Sequence, residues 1–181
     1  MSEPTKVLCG ISGFLEKESR PSGTEDILWE AFSSIEHLCI CRFVWNEAPF
    51  SIAKWVRRIA ERFPGIEIHF LSYSYGGTTA EHVIDLLPEY KIKNSFMIDP
   101  VYRPFVKLPS VFSLWGFGTL AMGENVETCK VWRQRTSIIR GCEVVMRSKN
   151  TRYSEELLSY KHTKIDNSPM IQGEIIERLQ A

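Results

Sequence analysis

The most constraining stretch of this chain is residues 66–77, which read Ile66-Glu67-Ile68-His69-Phe70-Leu71-Ser72-Tyr73-Ser74-Tyr75-Gly76-Gly77. A β-rich run ends in small-x-Ser-x-Gly-Gly and passes at once into a helical pattern. A strand that turns this sharply into a helix throws the central serine into an exposed, strained position at the top of a sheet. Small residues are required two positions either side of that serine, because the incoming strand and outgoing helix nearly touch. Gly76 meets this requirement, Gly77 follows it, and Ser72, small but not glycine, is a mild departure on the strand side.

The rest of the chain supplies a sheet around this turn. Residues 6–12 read as a short buried strand, 37–45 as a second, 66–72 as the third and 94–99 as a fourth. Helical spacing fills the gaps: Ile27, Leu28, Ala31, Phe32 and Ile35 over 25–36, capped by Thr24, and Ile52, Trp55, Val56 and Ile59 from Ser51 to Phe63. Pro64-Gly65 ends the latter, and Ala80, Val83, Ile84 and Leu87 mark a helix over 77–87. Further strands are expected at 130–137 and 141–147 with Arg140-Gly141 near their turn, and an amphipathic helix at 170–180 closes the chain. Alternating strands and helices predict an α/β fold: a three-layer sandwich, a mostly parallel central sheet with helices on both faces. The 181 residues suit a single domain, 1–181, with an irregular, aromatic-rich insertion or lid over 102–129.

Composition narrows the function. Basic and acidic residues number 22 each, so nothing favours a nucleic-acid partner. Five cysteines (Cys9, Cys39, Cys41, Cys129, Cys142) lack metal-ligand or disulfide-framework spacing and read as free thiols in a reducing compartment. No run reaches the length of a membrane span, and no secretory signal opens the chain. A cytoplasmic protein without metal or organic cofactor is expected.

A serine hydroxyl needs a base to take its proton and a third group to orient that base. His37, His69 and His82 sit in strand or helix patterns and read as packing or surface residues. His162 lies in a polar stretch before the terminal helix, where a loop can deliver an imidazole to the carboxyl edge of the sheet, the edge at which α/β sheets bind ligands. Asp99 ends an apolar strand at Asp99-Pro100, so it emerges at the same edge. Its bland role is to cap the following turn, and Asp166, Glu124 and Glu127 remain rivals for the acid; Asp85 falls on the exposed side of its helix. The backbone N–H of Tyr75 is one candidate oxyanion donor, and Ile11, in the glycine-containing loop after the first strand, is the other. Phe105, Phe112 and Trp115 are candidates for an apolar acyl pocket, against simple packing over a sheet edge. The basic row Lys54, Arg57, Arg58 and Arg62 reads as a solvated helix face.

These motifs resemble the α/β-hydrolase superfamily. Ser72-Tyr73-Ser74-Tyr75-Gly76-Gly77 is similar to its Gly-His-Ser-Tyr-Gly-Gly elbow, and Cys9-Gly10-Ile11-Ser12-Gly13 resembles its His-Gly-x-x-Gly oxyanion loop. The resemblance spans about residues 6–180 and implies a minimal core like the small lipases and cutinases, without a cap domain. It implies Ser74 as nucleophile, His162 as base, and Tyr75 and Ile11 as oxyanion donors; Asp99-Pro100 is similar to the acid position of some lipases. Ser72, Tyr73 and Cys9 depart from the usual Gly, His and His, but none of them removes a catalytic group. The activity implied is hydrolysis of a carboxylic ester or thioester of a small-molecule acyl substrate. The rival is a non-catalytic binding protein of the same fold, and the two differ in whether Ser74 and His162 come within hydrogen-bonding distance with a carboxylate behind the ring. A nucleotide-binding domain is disfavoured because no glycine-rich phosphate loop follows the first strand.

Overall fold

A computed structural model describes residues 3–14, 23–103 and 118–181. Its centre is a six-stranded sheet in the order β2-β1-β3-β4-β6-β8. The strands are β1 (Lys6–Ile11), β2 (Leu38–Phe43), β3 (Glu67–Tyr73), β4 (Ile92–Ile98), β6 (Val126–Gln134) and β8 (Arg152–Leu158). Every pairing between them is parallel. A short side sheet pairs β5 (Thr119–Met122) with β7 (Glu143–Met146).

Parallel sheets must be covered on both faces, and the side chains of β1 show how this chain does it. Val7, Cys9 and Ile11 point into one apolar layer and Leu8 into the other. The first layer is closed by α2 (Pro49–Arg62) and α3 (Gly76–Asp85), through Ile52, Ala53, Val56, Ala80, Val83 and Ile84. The second is closed by α1 (Gly23–Ser34) and α4 (Pro169–Gln180), through Ile27, Leu28, Ala31, Ile171, Ile175 and Leu179. Ile171, Ile175 and Leu179 are fully buried, each stabilising the fold by about 1.5–3 kcal/mol. They tie the end of the chain beneath the sheet and fix the segment just before α4, which carries His162.

Three departures from the sequence pattern have physical causes. β8 is not signalled by any apolar alternation, because it is an edge strand held by charge. Arg133 pairs with Glu155, and Lys130 with Glu156 across the ladder. The expected strands around 130–137 and 141–147 are β6 and β7, but they do not pair as neighbours. β6 enters the main sheet beside β4, whereas β7 joins β5. The stretch expected to be irregular over 102–129 contains β5 and the start of β6, with Leu120 and Met122 buried in the core.

Among the described residues, no helix is long and apolar enough to cross a membrane. All five cysteines are free.

Candidate active site

β3 leads directly into α3 through Ser74, whose φ of +53° lies in the left-handed region. That conformation costs a non-glycine residue about 1–3 kcal/mol and persists only where its surroundings over-determine it. Here the Ser74 N–H donates to the Ile98 carbonyl at 3.1 Å, and the Ser74 carbonyl accepts from Gly77 (3.0 Å) and Val101 (2.8 Å). The close approach is real at Gly76, where a Cβ would sit 2.3 Å from the Ile11 carbonyl oxygen. Ser72 fits because its buried side chain is small and its hydroxyl reaches the Phe96 carbonyl at 3.4 Å.

The structure brings Ser74, His162 and Asp99 together. Ser74 Oγ lies 2.9 Å from His162 Nε2, and His162 Nδ1 lies 2.5 Å from Asp99 Oδ2. His162 opens a 3₁₀ helix, His162–Asn167, instead of an open loop. Asp99 follows the last residue of β4, fully buried and with a φ of +42°. Its Oδ1 accepts from the Gly141 N–H at 2.9 Å and the Gln134 N–H at 3.2 Å, and Gln134 Nε2 donates to Oδ2 at 2.9 Å. The Gln134 amide can point only this way, since its Oε1 accepts from the backbone N–H groups of Thr136 and Ser137. With donors on every side, Asp99 acts as acceptor throughout, so the proton between it and His162 belongs to Nδ1. The Nε2 lone pair is then left to face the Ser74 hydroxyl.

Two residues that the sequence pattern does not single out support this arrangement. Gln134, the last residue of β6, orients Asp99 and also organises Ser137, whose Oγ accepts from the His162 backbone N–H at 2.8 Å. Tyr73 donates its hydroxyl to the His162 carbonyl at 2.6 Å and stacks on the imidazole with ring centres 5.3 Å apart. The only sequence cue was positional: both end strands at the carboxyl edge of the sheet.

The rival acids serve elsewhere. Asp166 accepts from the Gly23 N–H at the start of α1, Glu127 pairs with Lys91, and Asp85 pairs with Arg147; Glu124 is exposed. Tyr75 is the N-cap residue of α3, where the helix dipole favours negative charge. Ile11 is the last residue of β1, its backbone in register with Phe43 and Ser72 and its side chain in the core. The part of the following loop that abuts the serine is Gly13, where a Cβ would lie 3.0 Å from Ser74 Cβ. Phe105, Phe112 and Trp115 lie outside the described residues. An aromatic cluster is instead built on Tyr75, the residue after Ser74, with Phe14 and Trp45, the ring centres lying 5.2–5.6 Å apart.

A cleft of about 410 Å³, lined in part by Lys93, Asn94, Thr128, Arg152 and Tyr153, opens at the amino ends of β4, β6 and β8, the end of the sheet away from Ser74. Among the described residues no three His, Cys, Asp or Glu side chains are grouped to hold a metal ion.

The chain matches no protein-family profile and no curated protein. Solved structures do match. The RedJ thioesterase of the prodiginine biosynthetic pathway in Streptomyces coelicolor aligns over 98% of this chain and 89% of its own, with 8% identity and a TM-score of 0.59. ClbQ, from the colibactin NRPS/PKS pathway, aligns over 97% of both chains, with 9% identity and a TM-score of 0.55. An acetyl xylan esterase aligns over 98% of both, with 9% identity and a TM-score of 0.52. At such identities the likeness is one of architecture, and the parallel sheet, the strand-to-helix turn at Ser74 and the covering helices agree with it: this chain has the α/β-hydrolase fold.

Proposed function

We propose that the protein is a serine hydrolase that cleaves a carboxylic ester, or a thioester, of a small-molecule acyl substrate. One observation carries the reading: a continuous hydrogen-bond chain from Ser74 Oγ through His162 to Asp99, with the serine on a strained elbow. A binding protein of the same fold has no need to hold a hydroxyl, an imidazole and a buried carboxylate in this order, so the distances favour the enzyme.

In the first half-reaction His162 Nε2 takes the Ser74 proton as Oγ attacks the acyl carbonyl. The imidazolium so formed is stabilised by the Asp99 carboxylate. Negative charge on the carbonyl oxygen is met by the Tyr75 N–H and by a second donor from the loop beyond β1, which we place at Gly13–Phe14, two to three residues past Ile11. Collapse expels the alcohol or thiol, which leaves with the proton held by His162. Water, deprotonated by the now neutral Nε2, then attacks the acyl-enzyme, and the same proton passes to Ser74 Oγ as the carboxylic acid is released. Fluorophosphonate labelling with peptide mass spectrometry tests the reading. It predicts one label on Ser74, absent in Ser74→Ala and strongly slowed in His162→Ala. A folded wild-type protein that takes no label would overturn it.

A further inference from the structure

Arg103 stands four residues beyond Asp99 and is 1% exposed, yet it has no carboxylate partner among the described residues. One Nη2 bonds the Trp45 carbonyl at 3.1 Å and Thr79 Oγ1 at 3.2 Å. Nε and Nη1 are buried with no hydrogen-bond partner among the described residues. The guanidinium lies over the Trp45 ring, 4.8 Å from its centre, and 5.8 Å from that of Tyr75.

Such a group is costly. A buried charge without a counter-ion loses its hydration with only partial return, and each unmatched N–H adds to the loss. The neighbourhood makes matters worse. Tyr75 and Thr79, which contact Arg103, lie one turn apart at the start of α3, so the cation sits against the positive end of that helix. Desolvation lowers the Arg103 pKa, and His82 is pushed down first by its own burial and then by Arg103. Positive potential therefore accumulates at the start of α3, the helix that follows the elbow serine, with no carboxylate paired to it among the described residues.

The place is also joined to the elbow through the backbone. Tyr75 is the residue after Ser74, and the Val101 N–H, two residues before Arg103, donates to the Ser74 carbonyl. Phe14, which packs edge-on against both Trp45 and Tyr75, is 38% exposed, so the cluster reaches solvent beside the serine.

We infer that Arg103, with Trp45 and Tyr75 as its aromatic walls, is a specificity-determining subsite for an anionic group, a carboxylate or a phosphate, carried by the substrate close to the scissile carbonyl. The inference rests on the hydrolase reading above and changes its substrate: the acyl compound is a charged one, in contrast to the apolar ester expected from Phe105, Phe112 and Trp115 in the sequence. An oxyanion can accept a charge-assisted hydrogen bond from Nε–H or from Nη1–H, which lie on opposite edges of the guanidinium and are both left unmatched among the described residues. Aromatic faces hold the cation in place without competing for its protons.

The test compares mono-4-nitrophenyl adipate with 4-nitrophenyl hexanoate, which has the same chain length but no terminal carboxylate. Both are run on the wild type, Arg103→Met and Arg103→Lys. The wild type should favour the adipate ester by about tenfold or more in kcat/KM, the scale of one charge-assisted pair. Arg103→Met should lose that preference, its adipate-to-hexanoate ratio in kcat/KM falling to about one, and Arg103→Lys should keep part of it. A second arm separates the sources of charge. Sodium adipate and sodium phosphate, matched in ionic strength with chloride, are compared for their effect on Tm. The anion that raises the wild-type Tm but leaves that of Arg103→Met unchanged names the group. Equal use of both esters by the wild type, with neither anion raising Tm, overturns the inference. So does an Arg103→Met protein that unfolds at markedly lower temperature, since that is the mark of a purely structural arginine. Fluorophosphonate labelling of the wild type keeps the two readings apart: label without ester discrimination refutes only the anion subsite, and no label refutes the hydrolase.

Discussion

Asp99→Asn is the sharpest perturbation of the site, because the surrounding donors leave the new amide no comfortable orientation. If its NH₂ takes the Oδ2 position, it meets Gln134 Nε2, one donor against another, and it faces His162 Nδ1. The imidazole must then carry its proton on Nε2, which can no longer accept the Ser74 proton. If the NH₂ takes the Oδ1 position, His162 keeps the productive tautomer, but two backbone donors, Gly141 and Gln134, are opposed. Each unmatched buried donor costs about 1–3 kcal/mol, so the unproductive orientation wins by about that amount. That is roughly a five- to hundredfold loss in the competent fraction. Loss of the carboxylate charge beside the imidazolium removes about 1–2 kcal/mol more, the difference between a charge-assisted and a neutral hydrogen bond. The product is a fall of roughly 30-fold to several thousandfold in kcat/KM, below the ~10⁴ expected of a triad acid held in one orientation. The assay is steady-state release of nitrophenolate from 4-nitrophenyl butyrate, with a thermal melt as control. One opposed donor should lower Tm by roughly 2–12 °C and leave the protein folded at 25 °C. A folded Asp99→Asn protein that keeps more than about a tenth of wild-type activity would refute the reasoning.

Three other outcomes follow from the same contacts. Tyr73→Phe removes the hydroxyl that holds the His162 carbonyl at 2.6 Å but keeps the stacked ring; esterase activity should fall several-fold at a stability cost of about 1 kcal/mol, and an unchanged rate would show that the bond does not position the base. Gly76→Ala puts a methyl group 2.3 Å from the Ile11 carbonyl oxygen and 2.8 Å from that of Ser12; stability should fall by about 1–3 kcal/mol or more in denaturant melts, and a neutral effect would contradict the tight elbow. His69 is buried and neutral, its Nδ1 accepting from Asn94 at 3.0 Å, and burial pushes its pKa down to about 3. The unfolded chain binds this proton near pH 6.5 and the folded chain does not, so below 6.5 stability falls with pH, at up to about 1.4 kcal/mol per unit, until about pH 3. His69→Gln should flatten that limb of the stability profile, and an unaltered slope would assign the acid sensitivity elsewhere.

Legibility in the sequence follows how local each determinant is. The elbow is readable because its requirement for small residues acts within five positions of Ser74, and the layered fold because β1, β3 and β4 are apolar on both faces. Asp99 is readable as the polar residue that ends β4. β8 is not, since its partners are charges on β6 and its own residues, Arg152-Tyr153-Ser154-Glu155-Glu156, show no apolar period. The glycine loop is readable as lying near the serine, but its register is not: β1 continues through Ile11, and Gly13 makes the close approach. Gln134, Tyr73 and Arg103 acquire their places only when distant strands come together. Arg103 in particular reads as one cation in an aromatic stretch, and its want of a carboxylate partner among the described residues exists only in three dimensions.

The account turns on a covalent acyl-enzyme at Ser74, and pre-steady-state hydrolysis of 4-nitrophenyl acetate followed by intact-mass analysis measures it directly. The account predicts a nitrophenolate burst equal to the enzyme concentration, and an acetyl adduct that maps to Ser74 and is missing from Ser74→Ala. Turnover that continues in Ser74→Ala, or an adduct on any other residue, would contradict it.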